Sequence, residues 1–363
     1  MSIEKRRANQ PETLAPTTAF ERVKIFSRQW GMFSAVILLF VGAFYAAGGI
    51  SSIGVWLGAI AVGISMSLVA VGVYITFRVL NFPDLTIDGS FVLGAAITAT
   101  MLVNGRSPYL ALVFAFFLSA IAGTCTGLIA TRLRIHSLLA SIITATALYS
   151  INLRVMGRSN IPLLNTDTIL TPFSDPFREF IRTNFSSDYV RYSSNILTIV
   201  GAGLFVLAIK FSFDWFMRTE MGLALRATGD NQAMMRSLGR NTDFYLILGV
   251  TLSNGLTGLA GSIFAQYQGF SDVNMGLGLI IAGLAAVILG ETIIRPSTIG
   301  RATLAAILGM IVYRVAIAAA LSLKVPLPSG AFFRIEAQDI KLATAVLVLV
   351  TLAITQLRSQ EKR

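Results

Sequence analysis

Residues 218–243 read RTEMGLALRATGDNQAMMRSLGRNTD, a basic, polar stretch set between apolar runs long enough to cross a bilayer. The stretch is helix-compatible from about Asp230 to Leu238 and is closed by Gly239, a residue that commonly ends helices. Met234, Met235 and Leu238 recur at helical spacing and offer an apolar face. A docking-sized helix between two spans suits a membrane protein driven by a separate soluble motor. Chemistry confined to the bilayer has no use for one. Two uses of this helix stay open at this point: its basic residues lie on anionic lipid headgroups, or its methionines enter a groove on a motor subunit.

Outward from that segment the chain is apolar. Of its 363 residues, 55% are hydrophobic and 13% charged, and its mean hydropathy is +0.72. A soluble domain carries about a quarter charged residues, so the composition points to a polytopic membrane protein. About 20 apolar residues cross the hydrocarbon core as a helix. The runs are continuous rather than alternating, so helices are expected and not a barrel. The net charge of +11 sits at span ends and does not indicate nucleic-acid binding. One cysteine, Cys125, inside an apolar run, and one histidine, His136, leave no basis for a disulfide framework, a metal centre or a His-based catalytic set. No cofactor is expected. No GxxxxGK[ST] motif occurs, so nucleotide chemistry must come from another chain.

The expected fold is all-α, with about ten transmembrane helices near 30–50, 53–77, 88–103, 109–130, 137–155, 195–214, 244–265, 277–291, 303–322 and 342–357. An even count puts both termini on one side, and the positive-inside rule chooses the side. With the N-terminus in the cytoplasm, 19 of the 29 Lys and Arg face inward. Five of the nine that face outward lie in the long loop counted from Arg154 to residue 194, which obeys the rule weakly. The organisation is then a cytoplasmic tail 1–29, a membrane domain 30–357 and a cytoplasmic tail 358–363. Within the membrane domain, 218–243 is cytoplasmic and 155–194 extracytoplasmic. The outer loop is long enough for a short helix or two, and either receives a solute-delivering protein or merely covers the spans.

Small residues are dense in the spans, with Gly54/Gly58, Gly123/Gly127 and the set Gly255, Gly258, Gly261. Such faces let helix backbones approach closely, either within the chain or against a second copy. The stretch Asn81-Phe82-Pro83-Asp84-Leu85-Thr86-Ile87-Asp88-Gly89-Ser90 breaks a span, because Pro83 disfavours helix at Phe82. Asp84 or Asp88 caps the next helix; if the segment re-enters the membrane, a carboxylate there marks solute or ion binding. Asn152, Asn254, Gln266, Asp272 and Asn274 are further candidates for lining a polar route. Each alone also fits a helix–helix hydrogen bond or a cap.

Gly222-Leu223-Ala224-Leu225-Arg226-Ala227, Ser237-Leu238-Gly239-Arg240-Asn241-Thr242-Asp243 and Leu256-Thr257-Gly258-Leu259-Ala260-Gly261 together resemble the permease subunits of bacterial ABC importers. The resemblance is to the branched-chain amino acid and ribose permease superfamily, and within it to tryptophan/tyrosine-type or uncharacterised uptake systems. It extends over roughly residues 53–355 and includes Gly72, Asn81-Phe82 and Asp88-Gly89-Ser90-Phe91. It implies a bacterial inner-membrane location and alternating access for a small polar solute such as an amino acid. The implied partners are a cytoplasmic ATP-binding-cassette ATPase, an extracytoplasmic solute-binding protein, and a second permease of the same or a similar kind. Residues 226–241 would be the coupling helix, with Arg226, Asp230, Asn231, Met234, Met235, Leu238, Gly239 and Asn241 as coupling residues. Two departures stand out. Met235 and Arg236 replace small residues, and Glu291-Thr292-Ile293-Ile294-Arg295-Pro296 replaces a Gly-rich turn after Gly290.

An ATPase-independent carrier or channel is the competing class. It predicts buried ion pairs or an inverted repeat, and no clear repeat is visible. An intramembrane enzyme needs a convergent catalytic set, which neither His136 nor Cys125 supplies.

Overall fold

The computed structural model describes residues 53–322 apart from 165, 185 and 186, the backbone of 324–326 and 332–334, and the helical positions 342, 345 and 349. Beyond those three positions, the expected spans at 30–50 and 342–357 and both tails lie outside the described residues. Six described helices are long and apolar enough to cross a membrane, or seven crossings if one bent pair counts as a span.

The bent pair is α1 (Ile53–Ser65) and α2 (Ser67–Val73), the latter running on as a π turn over Tyr74–Val79. The apolar run predicts one straight helix over 53–77; instead the two halves meet at 40°. The cause is local. Ser65 and Ser67 turn their hydroxyls back onto the carbonyls of Ala61 and Ile64, at 2.8 and 2.7 Å. Such back-bonding competes with the helix ladder and bends it.

Next come α3 (Thr86–Val103), α4 (Pro108–Arg132) and α5 (Ser137–Met156). Pro108 starts α4 where its missing N–H costs nothing, and left-handed Gly157 (φ 68°) ends α5. His136 accepts the Leu138 N–H through Nδ1 at 3.3 Å, so the only histidine is a helix cap. The 155–194 loop holds β1 (Asn160–Pro162) and α6 (Thr171–Asn184). Then follow α7 (Ser193–Phe216), α8 (Glu220–Asp230), α9 (Gln232–Ser237) and α10 (Thr242–Gln268). β2 (Phe270–Asp272) pairs antiparallel with β1, Ile161 opposite Ser271. The described chain closes with α11 (Leu279–Ile294), α12 (Ile299–Ser322) and the ribbon β3–β4 (Lys324–Pro326 with Phe332–Arg334). Among the described residues the architecture is thus helical with two three-residue ribbons.

The centre is α10. Its most apolar window is 78% buried, against 28% in α5 and α7. The glycine set of α10 makes this possible. A Cβ on Gly261 would fall on the Phe91 carbonyl of α3, and one on Gly258 on the Ser119 hydroxyl of α4. Gly123 of α4 is likewise pressed against Val250 and Asn254, and Gly127 against Ile247. These faces are therefore filled within the chain. Thr98 donates to Ser262 at 2.6 Å and Thr124 meets Thr251 at 2.8 Å, so hydroxyls tie the same helices. On the far side, α4 exposes Val113, Phe114, Phe117 and Ile121, and α5 exposes Leu139, Ile142 and Ile143. Apolar surface on this scale suits contact with lipid.

Residues 277–291 were expected to cross, but α11 has only 16 residues. At 1.5 Å per residue it is about 24 Å long, short of the roughly 30 Å core. It is held at its start by a carboxylate from another helix, described next.

Candidate functional site

Two groups of residues stand out: a hairpin at one end of the bundle and a polar seam within it. The hairpin is α8–α9. Thr219 caps α8, accepting the Gly222 N–H at 3.4 Å. Asn231 leaves the helical region (φ −155°, ψ 96°) and caps α9, accepting the Met234 N–H at 3.0 Å. The single helix expected across 226–241 is therefore two helices broken at Asn231, whose side chain competes with the helix ladder. Left-handed Gly239 (φ 74°) then turns the chain, with Arg240 N–H donating to the Met235 carbonyl at 3.0 Å. Asn241 caps α10, accepting from Asp243 and Phe244 at 3.1 and 3.3 Å.

The hairpin is anchored rigidly. Gly229 approaches the Val79 carbonyl so closely that a Cβ would overlap it, and Asn81 donates to the Gly229 carbonyl at 3.2 Å. Leu225 is fully buried, beside Gly249 of α10. Here one expectation is corrected. Met235 is 4% exposed and packs into the core, whereas Met234 and Leu238 are 45% and 67% exposed. The two methionines are adjacent, so on a helix they diverge by about 100° and only one can face outward. Asp230, Asn231, Gly239 and Asn241 lie at the surface, and Arg226 is half-buried. A cleft of about 700 Å³ beside the hairpin is lined by Arg134, Arg236 and Arg240, with Asp243. Replacing Asn231 by alanine removes one cap worth about 1 kcal/mol. The Met234 amide is then expected to exchange hydrogen about five-fold faster, measured by hydrogen–deuterium exchange.

The seam joins α3, α4 and α10. Asp84, fully buried, accepts from Thr86 N–H at 2.9 Å and from Asn254 Nδ2 at 2.7 Å. Asn254 Nδ2 also donates to the Val250 carbonyl at 2.9 Å, and its Oδ1 accepts from Ser90 at 2.7 Å. Ser119 bonds the Ser90 carbonyl at 3.1 Å, and Thr86 meets Thr126 at 2.8 Å. Asp84 thus does hold the first N–H of the helix that follows it. Asp88 does not cap its own helix; it accepts from Gly278 and Ile280 at 3.2 and 2.9 Å, and so caps α11. Asn152 donates to the Gly89 carbonyl at 3.1 Å. The remaining three candidates do not converge. Gln266 accepts from Ile169 at 3.0 Å. Asp272 accepts from Asn274 at 2.8 Å and Asn160 at 3.3 Å in the β1–β2 turn.

The seam hydroxyls of Ser90, Ser119 and Thr126 carry no sequence pattern of their own and were not among the expected site residues. Lys210 lies inside α7, within the expected span 195–214. It pairs with Asp214 at 2.6 Å, both under 10% exposed, and Thr303 of α12 donates to Asp214 at 2.7 Å. The four-residue spacing was the available signal. Arg78 pairs with Glu291, joining the π turn to the end of α11.

Residues 55–355 match the family model described as branched-chain amino acid transport system, permease component. A tyrosine transport system permease protein of Clostridioides difficile is 38% identical over 298 residues, 82% of this chain and 90% of that one. An uncharacterised protein of Rickettsia prowazekii is 35% identical, with 61% and 71% of the two chains covered. An autoinducer 2 import system permease of Salmonella typhimurium is 27% identical over 62% of this chain and 59% of its own. With the match running through the bent span, the polar seam, the hairpin and α10, this chain belongs to the permease-component family of branched-chain amino acid transport systems.

Proposed function

We propose that the chain forms the translocation pathway of an ABC importer for an amino acid or similar small polar solute. Its family makes it a multi-pass transport subunit of such an importer and not an enzyme; the hydrolysing ATPase is a separate chain. In our reading it has about ten spans with both termini in the cytoplasm of a bacterial inner membrane. A solute-binding protein meets the 155–194 end, and a second permease completes the pathway. The amino acid assignment draws on the tyrosine permease relative.

One observation carries the reading. Met234 and Leu238 are exposed on a hairpin that is anchored to the core through Gly229, Leu225 and Met235. Exposed apolar side chains on a rigid mount are what a lever needs: ATP-driven closure of a partner is passed on rather than absorbed. Closure then shifts the gate only by its difference in affinity for the two states. Asp84 and Asn254 brace the helices, since both are buried and bonded to each other; Asn152 is held by the Gly89 carbonyl alone, its buried Oδ1 without a partner among the described residues.

The test is co-purification of the full chain with ABC ATPase subunits from its own membrane. Met234→Asp with Leu238→Asp is expected to cut ATPase recovery about ten-fold or more, as loss of a central apolar contact does, with permease yield unchanged. Undiminished recovery overturns the docking assignment. A carrier reading has one observation in its favour, the buried Lys210–Asp214 pair. Solute accumulation by vesicles holding this chain alone, without nucleotide, would establish it.

A further inference from the structure

At the end of the bundle opposite the hairpin, a cavity of about 360 Å³ lies between the 168–178 segment, α7 and the last turns of α10. That volume falls within the range of small-molecule sites. One wall is apolar, built by Leu112, Leu197, Phe205 and Ile263, and Tyr109 and Tyr267 add aromatic faces. Gln266 supplies the polar end. Its Oε1 is held by the Ile169 N–H at 3.0 Å, which fixes the amide and leaves Nε2 as the free donor. That Nε2 is buried and has no hydrogen-bond partner among the described residues. An orphaned buried donor is costly, and a small shift of the lining that opens it to the cavity lets a ligand's acceptor relieve it. Arg178 also lines the cavity; its pairing with Asp175, at 3.6 Å with both side chains more than half exposed, is too weak to hold it away. No Asp or Glu lines the cavity among the described residues.

We propose that this cavity binds a monocarboxylate with an apolar body, its carboxylate accepting from Gln266 Nε2 and drawn by Arg178, its body against Leu197 and Phe205. The lining carries hydroxyls but no carboxylate among the described residues, and Arg178 repels cations, so a polyamine is disfavoured. The same chemistry arrives from two sources, a free organic acid or a membrane-derived fatty acid. The proposal stands apart from the ATPase-docking assignment, because binding needs neither nucleotide nor partner.

The experiment is equilibrium binding of radiolabelled 3-phenylpropionate, oleate and spermidine to the purified full chain in nanodiscs. At least one carboxylate is expected to bind saturably, and spermidine not at all; oleate alone identifies a lipid source and phenylpropionate alone a free solute. Gln266→Glu keeps the acceptor for Ile169 while removing the donor and adding like charge, and is expected to weaken binding ten-fold or more. Leu197→Trp fills the cavity with Gln266 intact and is expected to abolish it. Failure of both carboxylates to bind, binding of spermidine, or binding unchanged in both variants overturns the proposal.

Discussion

Replacing Gly261 by valine is expected to leave no stably folded protein in the membrane. The Gly261 Cα faces the Phe91 carbonyl, and any Cβ there overlaps a backbone oxygen and crowds the Ala95 amide. Backbone cannot rotate away as a side-chain tip can, so α3 must retreat from α10 along its length. That retreat also opens the Thr98–Ser262 bond and the Gly94–Gly258 contact, which lie on the same face. Overpacking a dense core costs about 1–3 kcal/mol even where side chains can adjust, and the cost here is larger. Fluorescence-detected size exclusion should show the monodisperse peak lost, or the melting temperature lowered by about 10 °C or more. Gly203→Val is the control. It lies in the helical interior of α7 with nothing within 4 Å of its Cβ position, and should behave like the parent. Equal behaviour of the two variants would refute the packing of α3 on α10.

The glycine spacing of α10 was legible in the sequence because membrane helices approach only where side chains are small. Legible too, as continuous apolar runs, were the spans at 109–130, 137–155 and 244–265, which fall within three residues of the bounds of α4, α5 and α10. What stayed hidden depends on distant partners. The start of α11 is set by Asp88, some 190 residues earlier, so no local pattern marks it. The bend at Met66 comes from two serines whose spacing is compatible with straight helix as well. Periodicity shows that 234–238 has an apolar face, but which of two adjacent methionines turns inward is decided by the rest of the core. The polar candidates followed the same divide. Asp84 and Asn254 were each identifiable as polar residues in an apolar setting; that they meet each other is tertiary information.

Exchanging those two residues is expected to succeed where each single change fails. Both oxygens of Asp84 face donors, Thr86 N–H and Asn254 Nδ2. An amide at position 84 can offer one acceptor but must turn its own NH₂ toward the other donor. Asp84→Asn should therefore cost about 1–3 kcal/mol, the penalty of a buried unsatisfied group. Asn254→Asp is worse, since it sets two carboxylates face to face in the fully buried seam. Uncompensated charge of that kind costs on the order of 3–5 kcal/mol. In the double variant, the oxygen of the new amide at position 84 takes the Thr86 N–H. Its NH₂ donates to the new carboxylate at position 254, whose other oxygen still accepts from Ser90. The bond to the Val250 carbonyl is lost, and a carboxylate oxygen now faces that carbonyl. The melting temperature of the double variant should accordingly lie above that of Asn254→Asp but below the parent. Solute uptake separates the two roles considered for the pair. A brace needs only the restored bonds, so uptake should return with stability, whereas a solute contact at Asp84 would leave the refolded double variant inactive. Additive losses in the double variant would show that the two side chains do not meet, and the seam joining α3 to α10 would have to be redrawn.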